Sequence, residues 1–461
     1  MASSSADSGA DSSAGSSAGS SPGADRPDLA TASRESPGTD HKLTPQQRRA
    51  FFSAFGGWSL DGYNAGLFGL VLSPALTDLL PRSGYPATAG NIAFFGELGV
   101  AVFLFGWGCS FLWGPIADRY GRVPVLMASI LTYAFFTFLA GFAQDVWQLS
   151  LFRLLAAIGI GGEWSLAGTF VAESMPERKR VLLGGVLHSG TYWGFLLGAV
   201  VNLFVGLVVG WRWMFWLGVL PALFVLYIRS QVHGDTKHWQ AKVGRAERRP
   251  AYWSFLRGIL RPPYRRRTLN NALLVTVALM GYWASSQYLP TAIKALALRD
   301  GRDAHAAAML GTLGAGTLAL VTALSCLFAP LLCQRFGRRR TLAVFFTLMV
   351  VGITGGYAWA YPAASVPLFF VFVVVMGVGG ADFAVFTIWL PEQYPTEVRA
   401  SGFAFCTTMS RFLAAGGTFL IGYGIATEGI ALPLALTAIP FLLAFWLLRL
   451  SPETRGQVLP D

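Results

Sequence analysis

Charge is scarce in this sequence. Lys, Arg, Asp and Glu make up 13% of its 461 residues, about half the share usual in soluble proteins, while 54% of the residues are hydrophobic. A compact globule has too little interior to hide that much apolar sequence, so a soluble protein is excluded and a lipid-facing surface is required. Cysteine is sparse as well. Cys109, Cys326, Cys333 and Cys406 follow neither disulfide-scaffold nor metal-ligand spacing and read as packing residues, so no metal site is expected. Nucleotide-binding loops and nucleophile–base arrangements are missing, and no polar stretch is long enough to form a catalytic domain. An enzyme is therefore excluded and no cofactor is expected. Runs of about ten residues with period-2 alternation are also absent, which argues against a membrane β-barrel and for an all-α membrane protein.

What is present is a succession of apolar windows. Residues 1–48 are rich in Ser, Ala, Gly, Asp and Pro, a composition that cannot repay the entropy of folding, and read as a disordered tail. The tail carries no short apolar run of a cleavable signal peptide, so the first hydrophobic helix is expected to direct insertion. From residue 50 onward, windows of about 20 apolar residues, enough to cross a ~30 Å hydrocarbon core, alternate with short polar breaks. Twelve are expected, at 51–73, 91–115, 123–142, 147–171, 181–209, 212–228, 270–293, 307–332, 341–361, 366–390, 400–425 and 430–448.

Residues 229–268 carry eleven Lys or Arg against only Asp235 and Glu247, and divide the spans into six and six. The expected organisation is a tail (1–48), a first half (49–228), a basic loop (229–268), a second half (269–449) and a tail (450–461). With both termini in the cytoplasm, 28 of the 35 basic residues fall inside, Arg82, Arg212, Lys294, Arg299 and Arg302 fall outside, and two lie within spans. Positive charge retained on the inner side sets this orientation in the plasma membrane. It also accounts for the net charge of +11 through topology and anionic headgroups, without a nucleic-acid partner.

The halves repeat. Glu173, Pro176 and Arg180 match Glu392, Pro395 and Arg399 at an offset of 219, as Gly62-Tyr63 match Gly281-Tyr282. Gly161-Gly162 match Gly379-Gly380 at 218, and Arg119, Gly121 and Arg122 match Arg335, Gly337 and Arg338 at 216. Two related six-helix halves imply a midplane site between them, opened alternately to each side.

"GPIADRYGR", Gly114 to Arg122, between spans two and three, is similar to the loop motif G-x-x-x-D-R-x-G-R of the major facilitator superfamily, and the resemblance covers residues 50–450. Gly114 permits close helix approach, and Asp118 can pair with Arg122 or cap a helix N-terminus across the interface of the halves. The second-half counterpart has Gln334 in place of the acid. Within the superfamily, "DGYN" in span one, "RLLAAIGIGGEW" in span four and the two Glu-Pro-Arg loops resemble the proton symporters of organic acids, including sialate, lactate and aromatic-acid carriers. Sugar porters share the span-four Arg and the loops. The resemblance implies two pseudo-symmetric six-helix halves, an inner gate built from Gly114, Asp118, Arg119, Gly121 and Arg122 with Glu173, Arg180, Glu392 and Arg399, and a gating pair between Arg153 and an acid of span one. Asn64 stands where both groups commonly place an Asp, leaving Asp61 as the nearest substitute.

Ionisable residues inside spans cost about 2.5–3.5 kcal/mol each on insertion scales and persist for a reason. They are Asp61, Glu97, Arg153, Glu163, His188, Asp382 and Arg411. At about 1.5 Å per residue, Asp61, Glu163 and Arg411 lie roughly 15 Å from their helix ends. Arg411 offers a planar fork to a substrate carboxylate or, equally, forms an ion pair with Asp382. Glu163, behind a run of small residues, is a candidate proton carrier because low dielectric favours a neutral acid; permanent neutralisation by a neighbour is the alternative. Asp61 and Asp382 are further candidates for proton coupling. Tyr63, Asn64, Trp164, Tyr192, Tyr282, Trp283 and Gln287 are candidate walls and hydrogen-bonding contacts of a small-molecule site. The expected activity is proton-coupled symport of a small organic anion by a monomer. A sugar or polyol facilitator is the alternative carrier, and a substrate-sensing receptor is the alternative of another class.

Overall fold

The computed structural model describes residues 43–113, 116, 120, 122–231, 254–395 and 398–457. Every regular element among them is a helix. The first half comprises α1 (Pro45–Arg82), α2 (Ala89–Cys109), α3 (Arg122–Ala140), α4 (Val146–Ser174), α5 (Glu177–Val201) and α6, made of Trp211–Trp216 and Leu220–Gln231. The second comprises α7 (Tyr264–Gln287, continued by Leu289–Arg299), α8 (Ala304–Phe336), α9 (Arg338–Ile353), α10 (Val366–Gly379 and Asp382–Trp389), α11 (Arg399–Glu428) and α12 (Ala431–Leu436 and Ile439–Leu450). These are twelve transmembrane helices in two pseudo-symmetric halves.

Among the described residues, eight helices are long and apolar enough to cross a membrane on composition alone: α2, α3, α5 and α8 to α12. Three of the other four carry buried polar groups and the fourth is split. Asp61 and Asn64 lie in α1, Arg153 and Glu163 in α4, Asn270, Asn271 and Gln287 in α7, and α6 is split into two short pieces. Large apolar side chains such as Phe328, Leu420 and Leu442 are at least 60% exposed, as a lipid-facing surface requires.

Two boundaries differ from expectation. α1 starts at Pro45, inside the stretch read as tail. Thr44 and Gln47 form a reciprocal capping box, with Thr44 Oγ1 accepting from the Gln47 N–H at 3.2 Å and Gln47 Oε1 from the Thr44 N–H at 3.0 Å, and Pro45 fits the first helical turn. At the other boundary, α6 runs into the stretch read as a basic loop, which also holds a short helix (Ser254–Leu260) and the start of α7. Residues 1–42 and 232–253 lie outside the described residues.

The halves meet where α2 packs along α11 and α5 along α8. Gly185 of α5 makes the second approach possible, because a Cβ there would collide with Pro330 of α8. The chain of α10 is interrupted at Gly380-Ala381, and Tyr192 of α5 donates its hydroxyl to the Gly380 carbonyl at 3.1 Å. Three more hydrogen bonds cross between the halves: Trp164 Nε1 to Thr387 Oγ1 at 3.2 Å, His188 Nδ1 with Thr387 Oγ1 at 3.0 Å and Asn202 Nδ2 to Thr312 Oγ1 at 3.0 Å. The halves are closed on one another around the midplane.

Candidate functional site: a cationic aromatic cavity between the halves

Small residues let helices approach closely, and large rings then fill what space remains at the centre. Trp58 of α1, Trp107 of α2 and Trp164 of α4 meet His188, Tyr192 and Phe195 of α5 around one cavity. The second half closes it with Tyr282 and Trp283 of α7, Phe383 of α10 and Arg411 of α11. The rings interlock: Trp58 stacks on Trp164 at 6.0 Å, and Trp107 meets Trp283 edge-on at 5.4 Å. The cavity volume is about 30 Å³, room for a water against the roughly 300 Å³ or more of an open small-molecule site. This is a contracted site.

Arg411 is its one cation. Its guanidinium lies over the Trp107 ring at 4.1 Å and the Trp164 ring at 5.2 Å, and donates to the Thr407 carbonyl. The Nε is buried without a partner. Ion pairs among the described residues are Arg82–Asp78, Arg212–Asp78, Arg302–Asp300 and Arg338–Glu392, so Arg411 is paired with no acid. The alternative pairing with Asp382 is not formed. Asp382 opens the second segment of α10, on the Tyr192–Tyr282 side.

Asp61 and Glu163 lie together beside the cavity. The Glu163 carboxylate points at Gly57, one turn before Asp61, where a Cβ would collide with it. Asp61 lies within electrostatic range of both Glu163 and Arg411, and one oxygen of each acid is buried without a partner. Tyr133 of α3 is in electrostatic range of both acids.

The expected pair of Arg153 with Asp61 is corrected by the structure. Arg153 lies over Phe103 at 4.6 Å, Phe68 at 5.1 Å and Phe215 at 5.9 Å, and donates to the Asn64 carbonyl at 3.3 Å. Ring faces take the place of an acid as its partners. Tyr63 is turned away too, donating to the Met214 carbonyl of α6 at 3.2 Å, and Asn64 Nδ2 bonds within its own helix to the Leu60 carbonyl at 3.1 Å. Gln287 lines an adjoining pocket with Gly69 and Pro290, which shares Phe195 and Tyr282 with this cavity. Trp164, Tyr192, Tyr282, Trp283 and Arg411 are thus brought together, whereas Tyr63, Asn64 and Gln287 do not line this cavity. Trp58, Trp107, Phe195 and Phe383 were missed because, among 15 Trp and 35 Phe, sequence offers no sign of which rings face inward.

Of the expected gate, Gly114, Asp118, Arg119 and Gly121 and the side chains of Arg122 and Glu173 lie outside the described residues. Arg180 of α5 and Glu392 line one cleft between the halves. Glu392 is held by Arg338, at 2.6 and 3.0 Å, and by the Thr454 hydroxyl at 2.6 Å, while Arg399 donates to the carbonyls of Pro391 and Tyr394, each at 3.2 Å. Glu453 accepts from the backbone N–H groups of Arg338, Arg339, Thr454 and Arg455 at 3.0 to 3.1 Å. Partial burial alone would raise its pKa, but these bonds outweigh burial and hold the carboxyl below its ordinary range.

Residues 49–266 match the Sugar (and other) transporter family and residues 301–460 the Major Facilitator Superfamily. A probable 4-methylmuconolactone transporter of Cupriavidus pinatubonensis is 30% identical over 423 residues, covering 90% of this chain and 92% of its own. The chain belongs to the major facilitator superfamily. It is a transporter by family, not an enzyme. A cis,cis-muconate transport protein of Acinetobacter baylyi is 24% identical, with 83% of this chain and 91% of its own covered. In fold, the chain is similar to the proton:xylose symporter XylE of E. coli, with a TM-score of 0.70 at 18% identity over 90% of this chain and 98% of the other.

Proposed function

We propose that this transporter carries a small organic anion together with a proton by alternating access. The observation that carries the reading is Arg411: a buried guanidinium against two indoles at the meeting point of the halves, with no acid among the described residues in ion-pair contact with it. A buried charge left in that state favours an anionic guest. The relatives named for 4-methylmuconolactone and cis,cis-muconate support an organic acid as that guest.

Charge balance supplies the coupling. With the cavity empty, one ionised acid of the Asp61 and Glu163 pair balances Arg411 and the other holds a proton. A substrate carboxylate on Arg411 takes over the balancing role, and the remaining acid is then least costly as its neutral form. One proton therefore enters with one monoanion, and the neutral loaded cavity closes more readily than a half-loaded one. The reading includes a monomer in the plasma membrane, with both termini and residues 229–268 cytoplasmic. The residues expected to gate the inner side, with Arg180 and Glu392 facing one cleft, would then break and re-form contacts as the halves rock.

The test is uptake of labelled 4-hydroxybenzoate into proteoliposomes with an alkaline interior, measured against protein-free liposomes. Accumulation above equilibrium that a protonophore abolishes is the expected result. If no acid accumulates while D-xylose equilibrates through the protein, the chain is a sugar facilitator instead. If neither compound crosses although one binds, it is a receptor.

A further inference from the structure

We infer that His188 is a specificity-determining hydrogen-bond acceptor in the central cavity, and that the substrate is a flat carboxylate bearing a hydroxyl. The inference rests on the reading of Arg411 as the anion site. It comes from hydrogen-bond accounting around Thr387, whose hydroxyl oxygen has one hydrogen and two lone pairs. Three groups reach that oxygen: the Phe383 carbonyl at 3.0 Å, Trp164 Nε1 at 3.2 Å and His188 Nδ1 at 3.0 Å. The carbonyl can only accept, so it takes the hydrogen. The indole N–H can only donate, so it occupies one lone pair. The assignment that keeps all three contacts has His188 Nδ1 donating into the other, with the proton of the imidazole on Nδ1.

The other ring nitrogen is left for a ligand. Among the described residues Nε2 has no hydrogen-bond partner and is not among the sealed polar atoms, and His188 lines the cavity. A second cation beside Arg411 with no acid in contact would be costly, so the ring is neutral and Nε2 presents a lone pair. Arg411 and His188 flank the same indole: the guanidinium lies 5.2 Å from the Trp164 ring and the imidazole 5.6 Å from it. A ligand with its carboxylate on Arg411 and its body along Trp164 therefore brings its far side to Nε2. The rings of Trp58, Trp283, Tyr282 and Phe383, which line the cavity, favour a flat body. A cationic guest, which such a cage of rings can otherwise suit, is excluded because Arg411 already occupies the faces of Trp107 and Trp164.

The test is ligand binding to the purified full-length protein, read by quenching of tryptophan fluorescence. The probes are benzoate, 3- and 4-hydroxybenzoate, and their methoxy counterparts, which keep the shape but cannot donate. The tighter hydroxybenzoate is expected to bind at least tenfold more strongly than its methoxy counterpart. In His188→Phe, which keeps a flat ring, that preference should fall below twofold. Thr387→Val, which removes the partner of Nδ1, should weaken the preference without abolishing benzoate binding, and serves if His188→Phe does not fold. Equal affinity for hydroxy and methoxy compounds in the wild type, or a preference that survives both substitutions, overturns the role of His188 and leaves the anion site standing. Failure of every carboxylate to bind overturns both.

Discussion

The carboxylate of Glu163 occupies the space that a side chain on Gly57 would need. Gly57 lies one turn before Asp61 on α1, so the missing Cβ lets an acid of α4 reach the acid of α1. Gly57→Ala should leave the fold intact, since the displaced atoms are the far end of a flexible side chain. It should also separate the acids. Uphill uptake driven by a pH gradient is expected to fall at least tenfold while substrate counterflow persists. Glu163→Gln should behave likewise and more completely, because an amide keeps the shape and carries no proton. Uphill uptake by Glu163→Gln at the wild-type rate would remove this acid from the coupling.

Arg411 contributes a charge, a fork and a flat face, and Lys reproduces only the charge. Arg411→Ala should abolish both uphill uptake and counterflow, because no other Arg or Lys is among the described residues that line the cavity. Arg411→Lys should also bind hydroxybenzoate at least tenfold more weakly, since an ammonium neither chelates a carboxylate nor lies flat between Trp107 and Trp164. Titration by tryptophan quenching checks both variants. Wild-type affinity in Arg411→Lys would mean that the guanidinium geometry is irrelevant to binding.

The repeat and the apolar windows made twelve helices in two halves legible before any coordinates, because lipid imposes length and hydropathy on each span. Arg411, Trp164, Tyr192, Tyr282 and Trp283, candidates in the sequence, line one cavity. What depth cannot supply is azimuth. Tyr63 and Tyr282 are equivalent in the repeat, yet Tyr282 lines the cavity and Tyr63 bonds to α6. Arg153 looked like a partner for Asp61, but three phenyl rings surround it instead. Phenylalanines in a membrane sequence give no sign of which cation they will face.

Gly185 and Pro330 set how closely α5 and α8 approach between the halves. A larger residue at 185 acts as a wedge at that seam, where overpacking costs about 1–3 kcal/mol. Gly185→Val should therefore hold the halves apart on that side of the cavity. A cysteine placed at Gly184, which lines the adjoining cleft, is expected to react with a thiol reagent severalfold faster in the wedged variant than without it. Unchanged reactivity would show that the seam does not move.

Glu453 ties the segment after α12 to the start of α9 through four backbone N–H groups, two of them those of Arg338 and Arg339. Those bonds favour the ionised carboxylate in the folded state, holding its pKa below the ordinary 4.5. The unfolded chain then takes up the proton first as the solution is acidified. It follows that Glu453 stabilises the fold above about pH 4.5, and that this contribution disappears as pH falls through the lower folded value. The side chain is partly open to water, so the effect is modest. Glu453→Gln removes the titrating group and places a donor where two oxygens accepted, so its melting temperature should lie below that of the wild type at pH 7. The gap should narrow as the pH is lowered from 4.5. Melting curves of the two proteins in detergent between pH 7 and pH 3 measure it, and a gap that stays constant over that range would show that the Glu453 carboxylate does not contribute through its charge.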